Sequence, residues 1–126
     1  MSLPQIEIAP GYSITRVVRG GWQLAGGHGS IEREQAVADL VAAFEAGVTT
    51  FDGADIYTGV EELYGEVRAR LGAAGRRMQV HTKLVPDLAL LPRLKRADVE
   101  AIVDRSLTRL RVEALDLVQF HWWDYE

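Results

Sequence analysis

This sequence predicts a parallel α/β fold of barrel type, and two observations carry that expectation. Strand-like and helix-like segments alternate along all 126 residues. Such alternation implies a parallel sheet with right-handed crossovers. Within it, the run from Thr49 to Glu62 reads as a strand, a polar loop and a helix start, with the carboxylate Asp52 ending the strand and the phenol Tyr57 five positions on. The C-terminal ends of the strands and the loops beyond them are where an α/β barrel keeps its chemistry. A doubly wound open sheet is the alternative, but its Gly-x-Gly-x-x-Gly phosphate loop does not occur in the glycine-rich segment that follows the first strand.

The composition bounds the function. A chain of this length is one domain with a real core. A net charge of −4 and a pI near 5.4 argue against a dedicated nucleic-acid binder. Zero cysteines exclude disulfides and Cys-zinc sites and fit a reducing cytoplasm. No apolar run approaches the roughly 18 residues that span a membrane, and no apolar signal core opens the chain.

Residues 4–13, with Pro4, Pro10 and Gly11, read as an irregular lead-in. Ile14 to Arg19 is the expected first strand, with Val17 and Val18 at its heart. It runs into Gly20-Gly21-Trp22-Gln23-Leu24-Ala25-Gly26-Gly27-His28-Gly29, where a ligand or another backbone can approach closely. Ser30 is the expected cap of the first helix, with Glu32 and Glu34 favouring its dipole. Val37, Leu40, Val41 and Phe44 form that helix's apolar stripe, and Gly47 ends it. The second strand is Val48 to Phe51.

Thr58 and Glu61 have capping-box spacing, so a second helix is expected right after Tyr57. It carries Val60, Leu63, Val67 and Leu71 on one face, and Gly72 and Gly75 close it. The third strand is Met78 to Lys83, with Val80 central. Pro86 and Pro92 bracket a loop before a third helix from about Arg96 to Leu110, striped by Val99, Ile102, Val103, Leu107 and Leu110. Leu115 to Phe120 is the fourth strand, with His121-Trp122-Trp123-Asp124-Tyr125 as its exit.

Side chains alternate across a strand. If Asp52 faces inward, Thr50 does too; His81 pairs with Lys83, and Gln119 with His121, by the same parity. Six polar residues therefore converge on one side of three strands, where a buried parallel sheet should be apolar on both faces. They need hydrogen-bond partners or a purpose.

Each has an ordinary explanation taken singly. Asp52 caps a loop, Tyr57 packs half-buried, Lys83 snorkels from a strand end, and His121 is a satisfied histidine beside two tryptophans. His28 and His81 are read as ordinary histidines, and Trp22, Trp123 and Tyr125 as packing or pocket-wall residues. What singles out Asp52, Tyr57, Lys83 and His121 is their shared place at the ends of consecutive strands. A metal-dependent barrel hydrolase using Asp52, His81 and His121 is opposed by Lys83, a poor ligand, and by the lack of a His-x-His pair.

The run Phe51-Asp52-Gly53-Ala54-Asp55-Ile56-Tyr57, then Glu61-Glu62-Leu63-Tyr64-Gly65, resembles the signature loop of the aldo-keto reductases. Thr82-Lys83 is similar to that family's lysine strand. Ser106-Leu107-Thr108-Arg109-Leu110 with Leu115 to Trp122 is similar to its fourth strand and the helix before it, and Ile14-Thr15-Arg16 through Leu24 to its first strand and loop. The resemblance implies a TIM-type (β/α)8 barrel that uses NADPH to reduce aldehydes and ketones. It implies Asp52, Tyr57, Lys83 and His121 as a catalytic tetrad, Gly21, Trp22, Gln23 and Asp52 at the cofactor, and no metal. The sequence departs from the family pattern at Gly53, where threonine is more usual, and at Arg19, where an apolar barrel residue is expected.

The chemistry is consistent with those residues. Carbonyl reduction needs a hydride, which the nicotinamide brings, and a proton. A free phenol, pKa about 10, is a weak acid at neutral pH, and a neighbouring ammonium eases its proton release. Lys83 is expected in that place, held by Asp52, with His121 orienting the carbonyl oxygen. The family's barrel takes about 250 residues, so residues 1–126 are expected to cover the first four β/α units, as a fragment or half-barrel. Two open sheet edges then favour self-association, and weak NADPH binding follows from a partial site. The alternative is a non-catalytic half-barrel module for binding or assembly.

Overall fold

The computed structural model describes residues 2–26 and 32–122. Ser30, His28, Trp123 and Tyr125, singled out above, lie outside them. The described chain forms an antiparallel hairpin of β1 (Gln5–Ala9) and β2 (Tyr12–Thr15), then a four-stranded parallel sheet. Its strands β3 (Arg19–Gly20), β4 (Thr50–Asp52), β5 (Gln79–Leu84) and β6 (Leu117–Phe120) lie side by side in chain order. Three helices connect them: α1 (Arg33–Glu45), α2 (Val60–Leu71) and α3 (Arg96–Leu110). This is a partial TIM-type barrel of about four β/α units. No helix among the described residues is long and apolar enough to cross a membrane.

The hairpin corrects the expected lead-in. Gln5-Ile6-Glu7-Ile8 alternates polar and apolar with a period of two, which is a strand pattern. Pro4 and Pro10 flank that run without interrupting it, and Gly11, at φ +74°, turns the chain back. The expected strand from Ile14 to Arg19 is split as a result. Arg16 N–H donates to Pro4 O at 2.9 Å and ends the hairpin, while the Thr15 hydroxyl donates to Val17 O at 2.8 Å. Val17 and Val18 are 56% and 40% exposed, and only Arg19–Gly20 joins the parallel sheet.

The hairpin also accounts for part of the polar inner face. Thr15 N–H donates to Thr50 Oγ1 at 3.1 Å, and Thr50 N–H returns to Thr15 Oγ1 at 3.3 Å. Gln79 Nε2 donates to Ser13 O at 2.7 Å, and the Tyr12 hydroxyl lies 3.0 Å from His81 Nε2. Thr50 and His81 are therefore structural: they bind the hairpin to the sheet.

Burial, first, and then Lys83 hold the His81 imidazole below its ordinary pKa of 6.5, against the opposing pull of Asp116 and Asp52. The unfolded chain thus takes up this proton before the folded one. Stability from His81 is present above about pH 6.5 and is lost as the pH falls through and below it. His81→Gln is expected to flatten that acid-side decline in urea midpoints measured from about pH 8 to about pH 5. Parallel curves for the two proteins would refute the coupling.

Helices cover the other side of the sheet. Val37, Leu40 and Phe44 of α1 and Val60, Leu63, Tyr64 and Val67 of α2 pack on Phe51 and Val80 as one buried cluster. The Phe51 and Tyr64 rings meet edge-on, 5.7 Å apart. Two caps differ from expectation. Helix α1 is capped by Glu32, whose side chain accepts from Glu34 N and Gln35 N. Helix α2 starts at Val60 after Gly59, in the left-handed region at φ +77°, so Thr58 and Glu61 form no capping box. Glu61 is instead drawn inward to the buried Thr82 and to Arg109. Helix α3 has the expected bounds, but Val99, Ile102, Val103 and Leu107 are only half-buried. On β6, Val118 and Phe120 are 39% and 56% exposed.

Candidate active site

Strand β4 delivers Asp52 to the C-terminal rim, and the loop beyond it is tied along β5. Gly53 N–H donates to His81 O at 2.8 Å, and Asp55 N–H to Lys83 O at 3.1 Å. The Asp55 carboxylate accepts Val85 N–H at 3.2 and 3.3 Å. Burial raises its pKa above the usual carboxylate range, opposed by that N–H; the Glu61 charge raises it further and Arg105, 3.6 Å away, lowers it. Tyr57 sits half-buried in a turn that leads into α2: its N–H donates to Ala54 O, and its carbonyl accepts Val60 N–H.

Lys83, one residue before the end of β5, closes the constellation. Its Nζ lies 2.8 and 2.9 Å from the two Asp52 carboxylate oxygens and 2.9 Å from Gly53 O. An ammonium has three donors, and these three acceptors take them all. The same Nζ stands 5.3 Å from the centroid of the Tyr57 ring, within cation–π range. Asp52 and Lys83 thus come together as the strand parity requires, and the loop beyond β4 adds Tyr57. His121 follows β6 directly, and its N–H donates to Leu84 O at 3.0 Å. Its backbone is tied to β5 one residue beyond Lys83, and the residue is exposed.

The loop after β3 divides into two parts. Gly21 is buried, and a Cβ there would lie 2.4 Å from the Tyr64 hydroxyl and 2.8 Å from Asp52 O. It is a glycine because other atoms need the space. The Tyr64 hydroxyl donates to Asp52 O at 2.8 Å, and burial holds that phenol well above its ordinary pKa, so it remains a donor. Trp22 and Gln23 lie on the exposed side, in a short 3-10 turn ending at Leu24.

Four residues beneath the rim have structural parts that their sequence runs do not assign them. Tyr64 was legible, because it completes the Val60, Leu63, Val67 stripe at i+4 from Val60. Asp55, Glu61 and Arg109 form a polar network whose contacts no local pattern reveals. Thr82 Oγ1 donates to Glu61 Oε1 at 2.6 Å; Arg109 Nη1 lies 3.3 Å from Glu61 Oε2 and donates to Asp55 O at 3.0 Å. Among the described residues no group of three or more His, Cys, Asp or Glu side chains is placed to hold a metal ion. Asp52 is engaged by Lys83, and His81 by Tyr12.

The sequence profile described as the Aldo/keto reductase family matches residues 16–126. A 6-dehydroglucose reductase of Novosphingobium aromaticivorans is 34% identical over 88% of the chain, which covers 38% of that protein. Among solved structures, the Bombyx mori aldo-keto reductase in complex with NADP superposes with a TM-score of 0.77 at 26% identity, over 97% of this chain and 39% of that one. An aldo/keto reductase from Klebsiella pneumoniae, solved with NADP and acetate, gives a TM-score of 0.75 at 26% identity, over 95% and 40%. The chain spans about two fifths of the length of these relatives.

Proposed function

The chain belongs to the aldo/keto reductase family, and on that premise we propose that residues 1–126 are the N-terminal half of an NADPH-dependent (β/α)8 carbonyl reductase. The observation that supports it most directly is the position of the Lys83 ammonium, 2.8 Å from Asp52 and 5.3 Å from the Tyr57 ring centroid at one rim. Tyr57 donates the proton to the carbonyl oxygen of an aldehyde or ketone. Lys83 favours the phenolate left behind. Asp52 holds the ammonium, and Tyr64 in turn holds the Asp52 carbonyl. His121, at the end of the next strand, orients the carbonyl oxygen.

The residues at this rim suit a nicotinamide cofactor: Trp22 offers an exposed aromatic surface, Gln23 an amide and Asp52 a carboxylate. The buried Gly21 brings the β3 loop against Asp52 and so sets where Trp22 and Gln23 lie. NADPH, when bound, supplies the hydride. The absence of cysteine is in keeping with work in a reducing cytoplasm.

The second reading is a half-barrel module for binding or assembly, favoured by the apolar side chains exposed on β6. Each edge strand, β3 and β6, pairs with one neighbour among the described strands. The 126-residue chain alone is therefore expected to self-associate through those edges and to bind NADPH weakly. Light scattering with a fluorescence titration of NADPH tests both. A monodisperse monomer that binds NADPH at about micromolar Kd and reduces an aldehyde would overturn this expectation.

A further inference from the structure

Helix α2 presents Glu61 and Gly65, one turn apart, toward α3. At Gly65 a Cβ would lie 2.5 Å from Arg109 O, so only glycine lets the two helices approach this closely. The approach brings the Arg109 side chain to the start of α2. There its Nη1 reaches both Glu61 Oε2 and the carbonyl oxygen of Asp55, while Nε lies 3.2 Å from Glu62 Oε1. The Glu61 side chain is 1% exposed, and its second oxygen takes the hydroxyl of Thr82, the residue before Lys83. One guanidinium thus joins α3 to the loop that carries Tyr57, through a carboxylate anchored beside the lysine.

We propose that Arg109 is a positioning residue for Tyr57. By fixing the Asp55 carbonyl against the buried Glu61, it holds loop 53–57 along β5, so that the phenol stands over Lys83. This inference rests on reading Tyr57 as the proton donor. Arg109 lies on the helix side of the sheet and acts only through the loop.

The first readout needs no activity. In Arg109→Met the hydrogen-bonded amides of Gly53 and Asp55 are expected to exchange at least about tenfold faster, with Val48, bonded to Ala43 O in the α1 turn, unchanged. Arg109→Lys keeps a cation for Glu61 but lacks the fork that also reaches Asp55 O and Glu62. It is expected to show a smaller, equally local effect, and it stands in if Arg109→Met does not fold. Unchanged loop amides, or acceleration spread evenly to Val48 in Arg109→Lys, would overturn the clamp.

The second readout is a cycle with Tyr57→Phe in a chain that also carries the second half of the barrel. Arg109→Met is expected to lower kcat about 10–100-fold with little change in NADPH affinity, and Arg109→Lys to recover part of the loss. On the Tyr57→Phe background neither is expected to lower the residual rate further. Losses that multiply would show that Arg109 does not act through Tyr57. If Tyr57→Phe keeps most of the turnover, the reductase reading itself fails. If Tyr57→Phe is inactive while both Arg109 variants turn over at the wild-type rate, only the clamp fails.

Discussion

In a chain that also carries the second half of the barrel, Tyr57→Phe is expected to lower carbonyl reduction about 10²–10⁴-fold, the usual contribution of a placed acid. The substitution removes the hydroxyl and keeps the ring, whose face the Lys83 ammonium meets at 5.3 Å. The Lys83–Asp52 pair, at 2.8 Å, retains both partners. NADPH affinity, read by fluorescence titration, is therefore expected to stay within about twofold, well under 1 kcal/mol. The loss belongs in turnover and not in binding. Retention of most wild-type turnover would show that Tyr57 is not the acid.

Glu61→Ala is expected to destabilise the fold by about 1–3 kcal/mol. The Glu61 side chain is 1% exposed and answers both the Thr82 hydroxyl and Arg109. Its removal leaves the hydroxyl without that acceptor and takes from the partly buried guanidinium one of its two carboxylate partners, Glu62 remaining 3.2 Å from Nε. Exposed pairs such as Arg33–Glu66 and Arg96–Glu100 set the contrast: breaking one of those is expected to cost under about 1 kcal/mol. Domain stabilities run about 5–15 kcal/mol, so losing Glu61 removes a large share. Glu61→Gln, which keeps an oxygen for Thr82, is expected to cost less. Urea denaturation decides the matter, and a Glu61→Ala loss under about 1 kcal/mol would place Glu61 among the surface pairs.

Where a local pattern has one interpretation, the sequence was a good guide. Val37, Leu40 and Phe44 of the α1 stripe and Val60, Leu63 and Val67 of α2 are buried as the helical period requires, with Val41 and Leu71 partly buried beside them. Strand parity placed Phe51 and Val80 in the core and brought Asp52 together with Lys83. The failures came where one residue type serves two ends. Thr58 and Glu61 have capping-box spacing, yet a carboxylate spaced to cap is equally one that can be buried. Its partners, Thr82 and Arg109, stand 21 and 48 positions away. The hairpin forms because the period-two alternation from Gln5 to Ile8 outweighs the prolines that flank it.

By itself the sequence determined the alternation of strands and helices from Arg19 onward, the family, and the pairing of Asp52 with Lys83. These are written in short-range periodicity and in a compact motif. Only the tertiary structure decided which polar residues of the inner face are tied to the hairpin and which lie beyond it. Thr50 and His81 are bound by the hairpin, with His81 meeting Tyr12 from 69 positions away. Asp52 and Lys83, two residues further along the same strands, lie beyond that cover and engage each other beside Tyr57. Partners so distant in sequence leave no local mark on one another, and a polar residue on an inner face looks the same whether it binds a hairpin or faces a substrate.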